Sequence, residues 1–465
     1  VMDNREFLGY LERNLAGLDS WRETWPRFDV DESLQVGPGR ISSVMAELIE
    51  RLHDNYPFFH PRYAGQMLKP PHPVAMLAYA TAMQINPNNH ALDGGEATSR
   101  MEREAVSSLA DMLGYGEKHL GHLTASGTIA NLEALWIARS IHPDKAIAIS
   151  DQAHYTHGRA CELLRVEAVT VPTDGTGRMH LGELDRLLDT GEIGTVVATI
   201  GSTALGALDP LDEIIPVAQR AGARVHVDAA YGGFFRLLAL REEPEVAVGP
   251  FSAFPEADSI VIDPHKHGLQ PYGCGAVLFQ DPAVGAFYRH DSPYTYFTSD
   301  ELHLGEISLE CSRAGASAAA LWATLQCLPL APDEGLGPVL SRTRQAAIAW
   351  AKLLEKSDRF KLVVDPQLDI VTFYATPAGS GRPRASQISA LTDELFSRTM
   401  HDPDEPLYLA TLEVRDTQLS ARDASIVWDQ PTVRVLRSVV MKPEHLAAIP
   451  DIHRTVERHL REYEE

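Results

Sequence analysis

At 465 residues the chain exceeds what one ordinary hydrophobic core takes, so two or three domains are expected. Its 44% hydrophobic and 23% charged residues are those of a globular protein, and a formal charge of −23 speaks against a nucleic-acid surface or an anionic membrane as partner. An anionic ligand must then be held by local backbone donors and a few cations.

The first stretch, VMDNREFLGYLERNLAG, is amphipathic and lacks the basic and apolar regions of a signal peptide. No apolar run reaches membrane-spanning length, the nearest being Ala314 to Ala323, and a cytoplasmic location is expected. Residues 1–65 read as helices punctuated by Pro and Gly, with little core of their own, a segment suited to packing on a partner. Residues 66–330 form the large domain. Within it apolar strand runs fall at Ala146–Ile149, Ala168–Val171, Thr195–Ile200, Arg224–Val227, Ser259–Ile262 and Gly275–Phe279, with helical patterns between several of them, such as Leu181–Leu188 and Leu211–Ala221. This alternation predicts an α/β fold, a mostly parallel sheet with helices on both faces. Residues 305–328 read as one long helix, ended by Ala331-Pro332-Asp333. Residues 331–465 then read as a smaller α+β domain, with strands at Lys361–Val364, Ile370–Tyr374 and Val433–Val440 and helices at Ser386–Met400 and Pro443–Tyr463. Cys161, Cys274, Cys311 and Cys327 stand far apart without a CxxC pair, as buried free thiols rather than disulfides or a zinc site.

Ligands of open α/β sheets bind beyond the carboxyl ends of the strands, so the polar residues just after each strand run carry the chemistry. Thr124, Ser126, Gly127 and Thr128 precede a helix running from about Ile129 to Ser140: either an ordinary Ser/Thr cap or a phosphate cradle of free N–H groups. His154 in SDQAHYTHGRAC is a ring-stacking imidazole, a helix-cap histidine or, with His157, half of a metal site; no carboxylate or thiol stands at ligand spacing, and no metal is expected. Asp228 in ARVHVDAAYGG is either a strand-capping turn residue or the partner of a protonated ring nitrogen. Lys266 in IVIDPHKHG lies between His265 and His267 after a buried-type strand; a nearby positive charge or desolvation would lower its pKa and expose an amine that condenses with an aldehyde. Phosphate cradle, stacking His, carboxylate and Lys, in that order, are the parts pyridoxal 5′-phosphate requires.

In HVDAAYGG and DPHKHG above all, and from about His60 to the C-terminus, the chain resembles the pyridoxal-phosphate-dependent group II amino-acid decarboxylases of the glutamate/aromatic type, of fold type I. The resemblance implies that Ala125 and Ser126 hold the phosphate, His154 stacks on the ring, Asp228 pairs with its nitrogen, Ala230 packs under it, Thr199 lies beside it, His265 faces the phosphate and Lys266 carries the cofactor. It implies a homodimer with shared active sites, in which residues 1–65 interlock the two chains. Tyr294 in DSPYTYF is similar to the proton-donating tyrosine of archaeal and bacterial tyrosine or aspartate decarboxylases, with Tyr296 as rival. Arg313 is structural or near the partner's phosphate. Arg437 is either a receiver of the substrate carboxylate or a solvated strand-edge arginine. His60 and Tyr63 in HPRYAGQM resemble a stretch that lines the substrate pocket. The implied reaction is decarboxylation of an L-amino acid, an aromatic one such as tyrosine first and aspartate or glutamate next. A Cα–Cβ lyase of the sphingosine-phosphate-lyase type is the alternative, while an aminotransferase, an aldehyde synthase and a catalytically silent scaffold rank lower.

Overall fold

The computed structural model describes residues 2–289, 303–379, 381–420 and 422–465. Seven strands, β1 (Leu120–Thr124), β2 (Ala146–Ser150), β3 (Ala168–Val171), β4 (Ile193–Thr199), β5 (Arg224–Asp228), β6 (Ser259–Ile262) and β7 (Gly275–Phe279), form one sheet in the order β1-β7-β6-β5-β4-β2-β3. Six run in one direction and only β7 opposes its neighbours β1 and β6. The sheet is covered on both faces, which explains the unbroken apolar run Ile260-Val261-Ile262: Ile260 and Ile262 join one core cluster, and Val261 joins the other. β1 was missed as a strand because LGHLT carries only two apolar side chains among its five residues.

Through residue 220 the longer helices, in chain order, are α1 (Asn4–Arg22), α2 (Pro38–Leu52), α3 (Pro73–Met83), α4 (Leu92–Leu113), α5 (Gly127–Ile141), α6 (Thr156–Leu164), α7 (Leu181–Leu188) and α8 (Leu211–Arg220). Neither α1 nor α2 has a single buried residue. The apolar stripe of α2, including Ile41, Val44, Met45, Leu48, Ile49 and Leu52, lies open. A second sheet, β8 (Phe360–Leu362), β9 (Ile370–Ala375), β10 (Ala410–Arg415) and β11 (Thr432–Val439), is antiparallel throughout, in the order β10-β11-β9-β8. Helices at Leu336–Lys356, Ala385–Met400 and His445–Glu464 accompany it, and fully buried Trp350 packs on Phe373 with ring centroids 5.3 Å apart.

The long helix expected over residues 305–328 is shorter, Gly315–Cys327. The segment before it is pinned by side-chain and backbone bonds that a helix would break. Arg313 donates to the Glu102 carboxylate and to the carbonyls of Leu123 (2.7 Å) and Asn89 (3.2 Å), and its own carbonyl accepts from Asn89 N–H (3.0 Å). Gly315 is needed at the turn, because a Cβ would stand 2.5 Å from both Asn89 Oδ1 and Thr98 Oγ1. Arg313 is therefore structural. The cysteine expectation is also corrected: Cys161 and Cys274 are buried thiols, whereas Cys311 and Cys327 are exposed. Among the described residues no helix is long and apolar enough to cross a membrane.

Arg313 and Glu102 are both nearly solvent-free, and Glu102 also receives Asn89 Nδ2 (2.7 Å) and Leu123 N–H (2.9 Å). Arg313→Ala strands that carboxylate and should cost about 3–5 kcal/mol of stability. Urea unfolding checks this; an unchanged midpoint would show that the pair contributes nothing.

Candidate active site

Because β1, β2, β4, β5 and β6 point the same way, their carboxyl ends share one rim, and the loops after them enclose a polar cavity of about 160 Å³. A cavity of that size holds a single six-membered ring. Its lining includes Ser126, Asn131, His154, Thr199, Asp228, Ala230, Asp263, His265 and Lys266. Of the residues expected at the cofactor, only Ala125 is missing from the wall: it is exposed at the rim, and its N–H donates to Glu310 Oε2 (2.8 Å).

Ser126 caps α5, its Oγ accepting from Ile129 N–H (3.4 Å). The helix N-terminus reaches the cavity because the next residue has no side chain. A Cβ at Gly127 would stand 2.6 Å from Asp263 Oδ2, and one at Gly275 of β7 would stand 2.6 Å from the Ser126 carbonyl carbon. The motif is thus an N-cap whose helix start also lies open to the cavity. Thr199 closes β4, its N–H bound to Asp209 Oδ2 (2.7 Å) while its hydroxyl is buried with no partner among the described residues. Asp209 also accepts from Met179 N–H (2.6 Å); burial pushes its pKa up to about 6 against those two bonds.

Asp228 ends β5 with only 6% exposure. Oδ1 accepts from Ala230 N–H (3.1 Å) and Oδ2 lies 2.8 Å from His157 Nε2. Burial pushes its pKa up, but the hydrogen bonds of His157 and the Ala230 N–H, with the charge of Lys266, outweigh this and hold it well below the usual carboxylate range. His157 Nε2 is thus engaged by Asp228, and among the described residues no group of three or more His, Cys, Asp and Glu is placed to hold a metal ion. His154 stands on the wall with Nδ1 2.8 Å from Thr156 Oγ1, and burial lowers its pKa, so its ring is presented neutral.

Lys266 corrects the expected electrostatics. Its Nζ lies 3.0 Å from Asp263 Oδ2, with His265 Nε2 3.5 Å from the same oxygen. Burial lowers the lysine's pKa, but the charges of Asp263 and Asp228 outweigh burial and raise it. The flanking histidines face other partners: His265 turns Nδ1 to the Cys274 carbonyl (2.7 Å), and His267 is held neutral by burial between Tyr231 and Phe235. Asp263 went unrecognised because it sat between a strand and Pro264, where aspartate is an ordinary turn residue.

The remaining expectations divide. Arg437 is neither solvated nor at an edge: on inner strand β11, it is buried and donates to the carbonyls of Thr203 (2.6 Å), Ala204 (3.1 Å) and Gly65 (3.3 Å). It braces the loop from which Thr203 reaches the cavity. Tyr63 is buried in an aromatic group with Phe58 and Tyr408, its carbonyl receiving Lys442 Nζ (2.6 Å), and His60 is exposed; neither lines the cavity. Tyr294 and Tyr296 lie outside the described residues.

Residues 29–376 match the family model for the pyridoxal-dependent decarboxylase conserved domain. Over 392 residues the chain is 29% identical to the L-tyrosine decarboxylase of Levilactobacillus brevis, covering 63% of this chain and 62% of that protein, so it spans under two thirds of that relative's length. It is 32% identical over 318 residues to a probable L-aspartate decarboxylase of Halobacterium salinarum, covering 67% of this chain and 82% of that protein. The fold is similar to that of Oryza sativa TDC, solved with PLP and tryptamine, at a TM-score of 0.77 and 20% identity, with 98% of this chain and 99% of that chain covered.

In the cofactor-free chain, Asp263→Asn removes the carboxylate nearest Lys266, so the lysine's pKa falls and more of it is neutral at pH 8. Trace acylation of Lys266 should then speed up, by about tenfold for each unit of fall. An unchanged or slower rate would refute the assignment of Asp263 as the group holding the lysine charged.

Proposed function

We propose that this chain, which belongs to the pyridoxal-dependent decarboxylase family, removes the carboxylate of an aromatic L-amino acid as carbon dioxide and releases the amine, with tyrosine as first candidate and aspartate or glutamate next. The observation that carries the reaction is the joint placement of Lys266, Asp228 and His154 on one buried polar cavity at the carboxyl ends of the strands.

Pyridoxal 5′-phosphate fits this cavity: a partnerless Thr199 hydroxyl, an open α5 N-terminus, a buried carboxylate and a lysine amine face one ring-sized space. When bound, it supplies an aldehyde for covalent attachment and a ring that accepts the electron pair left at Cα. Lys266 is the attachment point. Asp228, kept ionised in a water-poor site, holds a proton on the ring nitrogen. His154 and Ala230 would bound the ring, and Ser126 with the first N–H groups of α5 would take the phosphate oxygens. His265 would complete the phosphate end and Thr199 would bind beside the ring, whereas Ala125 would join them only if its N–H left Glu310. Tyr294 delivers the proton to Cα after carbon dioxide leaves, with Tyr296 as the rival donor.

An uncharged substrate side chain is favoured by what surrounds the cavity. No arginine lines it among the described residues, and Arg437 of the second sheet, which bonds the Thr203 loop, spends its donors on three carbonyls. An acidic side chain would need such a cation to offset its desolvation. The open stripes of α1 and α2 support a homodimer whose second copy covers them, and they make residues 1–65 the interlocking segment, with 66–330 the cofactor domain and 331–465 the small domain.

Incubation with a panel of L-amino acids, scored for carbon dioxide and for amine against aldehyde, should give carbon dioxide and amine in equal amounts, fastest with an aromatic substrate. Lys266→Ala should abolish both turnover and borohydride fixation of the cofactor to the chain; aldehyde from Cα–Cβ cleavage would move the enzyme to the lyase branch. Tyr294→Phe should slow amine formation by about 10²-fold, within the span of a single acid–base group. Wild-type rates would transfer the role to Tyr296.

A further inference from the structure

His157 contacts the Asp228 carboxylate, and no role above accounts for it. It lies in the first turn of α6, wholly buried, with its backbone N–H donating to the His154 carbonyl (3.0 Å). Its Nε2 is 2.8 Å from Asp228 Oδ2, while Nδ1 has no partner among the described residues. The charged and titratable groups facing the ring are Asp228 and His226 from β5, the latter with ring centroids 6.3 Å away, and His154 just before its own helix. His226 is engaged elsewhere, with Nε2 2.9 Å from Asn131 Oδ1 and Nδ1 2.9 Å from Ser259 Oγ.

Two consequences follow from that geometry. A second proton on His157 would place an N–H at Nδ1 where no described residue offers an acceptor, which is unfavourable in itself. It would also set a full positive charge against Asp228 in a medium of low dielectric and cancel the carboxylate's field at the cavity. A neutral ring with its hydrogen on Nε2 avoids both, since it donates to Oδ2 and leaves Nδ1 bare.

We propose that His157 is a positioning residue that holds Asp228 as a neutral Nε2–H donor, fixing the carboxylate's orientation while leaving its whole negative charge for the ring nitrogen of the bound cofactor. The inference rests on the function proposed above and adds to it a residue that touches neither cofactor nor substrate. It also explains why α6 begins where it does: the turn that brings His154 to the wall brings His157 beneath it.

The test compares wild type with His157→Gln, which keeps a neutral donor, and His157→Phe, which has none. In the cofactor-free wild type, ¹⁵N-histidine spectra at pH 7 should show His157 as the neutral Nε2–H tautomer; an imidazolium would overturn the proposal without touching the assignment of the cofactor. In chains loaded with ring-¹⁵N cofactor, the ring nitrogen should be protonated from pH 6 to 8 in wild type and His157→Gln, and should lose its proton within that range in His157→Phe. kcat should fall by about tenfold or more in His157→Phe, the worth of one charge-assisted hydrogen bond, and recover to within about threefold in His157→Gln, with KM unchanged. A protonated ring and wild-type kcat in His157→Phe would overturn it. If His157→Phe does not fold, His157→Asn serves as the shortened variant and carries the same expected loss. Failure of the wild type to bind cofactor would strike the proposed function instead.

Discussion

A carboxylate that stays ionised while almost wholly buried is the constraint on which the site is built. Asp228 gains nothing from solvent, so its charge must be supported by donors that the fold delivers to it. The period of two along β5 does this economically. His226 and Asp228 share the face toward α5 and α6, where Asn131 and His157 meet them, while Val225 and Val227 feed the opposite core. One strand thus separates polar from apolar residues by alternation alone. Beyond its last residue, Ala229 and Ala230 add little bulk, and the cavity opens there.

The second sheet takes part in the same support. Arg437 ties the 203–204 loop to the strand that carries it, and Asp369, just before β9, is fully buried against Tyr231 and His267. Tyr231 lines the cavity and His267 adjoins Lys266. The loops that hold the reactive amine are therefore clamped from both sides. Burial raises the pKa of Asp369, opposed chiefly by the Tyr231 hydroxyl and the charge of Lys69. Lys69 in turn is pushed down to about 8 by burial, with Asp369 and Glu444 pulling the other way. Such a seam holds its groups in balanced, nearly dry contact, which keeps their geometry fixed.

The strands between 146 and 279 were legible because most are buried apolar runs bounded by polar turns, β3 and β5 showing instead through their β-branched residues, and His154, Asp228 and Lys266, singled out after three of them, lie on one cavity because the rim is set by strand direction. What escaped the sequence was pairing across distance. Nothing in HYTHGRAC shows that His157, three residues after His154, turns away from the cavity wall to reach β5, since both lie on a short helix start where either direction is open. Asp263 looked like a turn former, and its effect on Lys266 reverses the expected sign of that lysine's shift, because a carboxylate at 3.0 Å outweighs burial. Residues 305–314 have helical composition, yet Arg313 finds better partners in Glu102 and two carbonyls than a helix would offer. In each case a tertiary contact overrode a local signal.

The acidity of the chain bears on how an anion can bind here at all. A formal charge of −23 repels a phosphate at long range, but at physiological salt the field of an exposed charge fades within about 8 Å. Inside the cavity only near groups count, and these are mixed: two carboxylates, one lysine, two histidines and the N-terminus of α5. The lysine's charge is largely spent on Asp263, and no arginine lines the wall among the described residues. The helix end is what remains to favour an anion, through N–H groups that have no partner within the helix and a dipole that needs no counter-charge. Gly127 and Gly275 are consequently part of the electrostatics rather than of the packing alone. A side chain at either would clash with Asp263 or with the Ser126–Gly127 backbone and so disturb the α5 N-terminus, the main attraction that the described residues of the wall offer a phosphate.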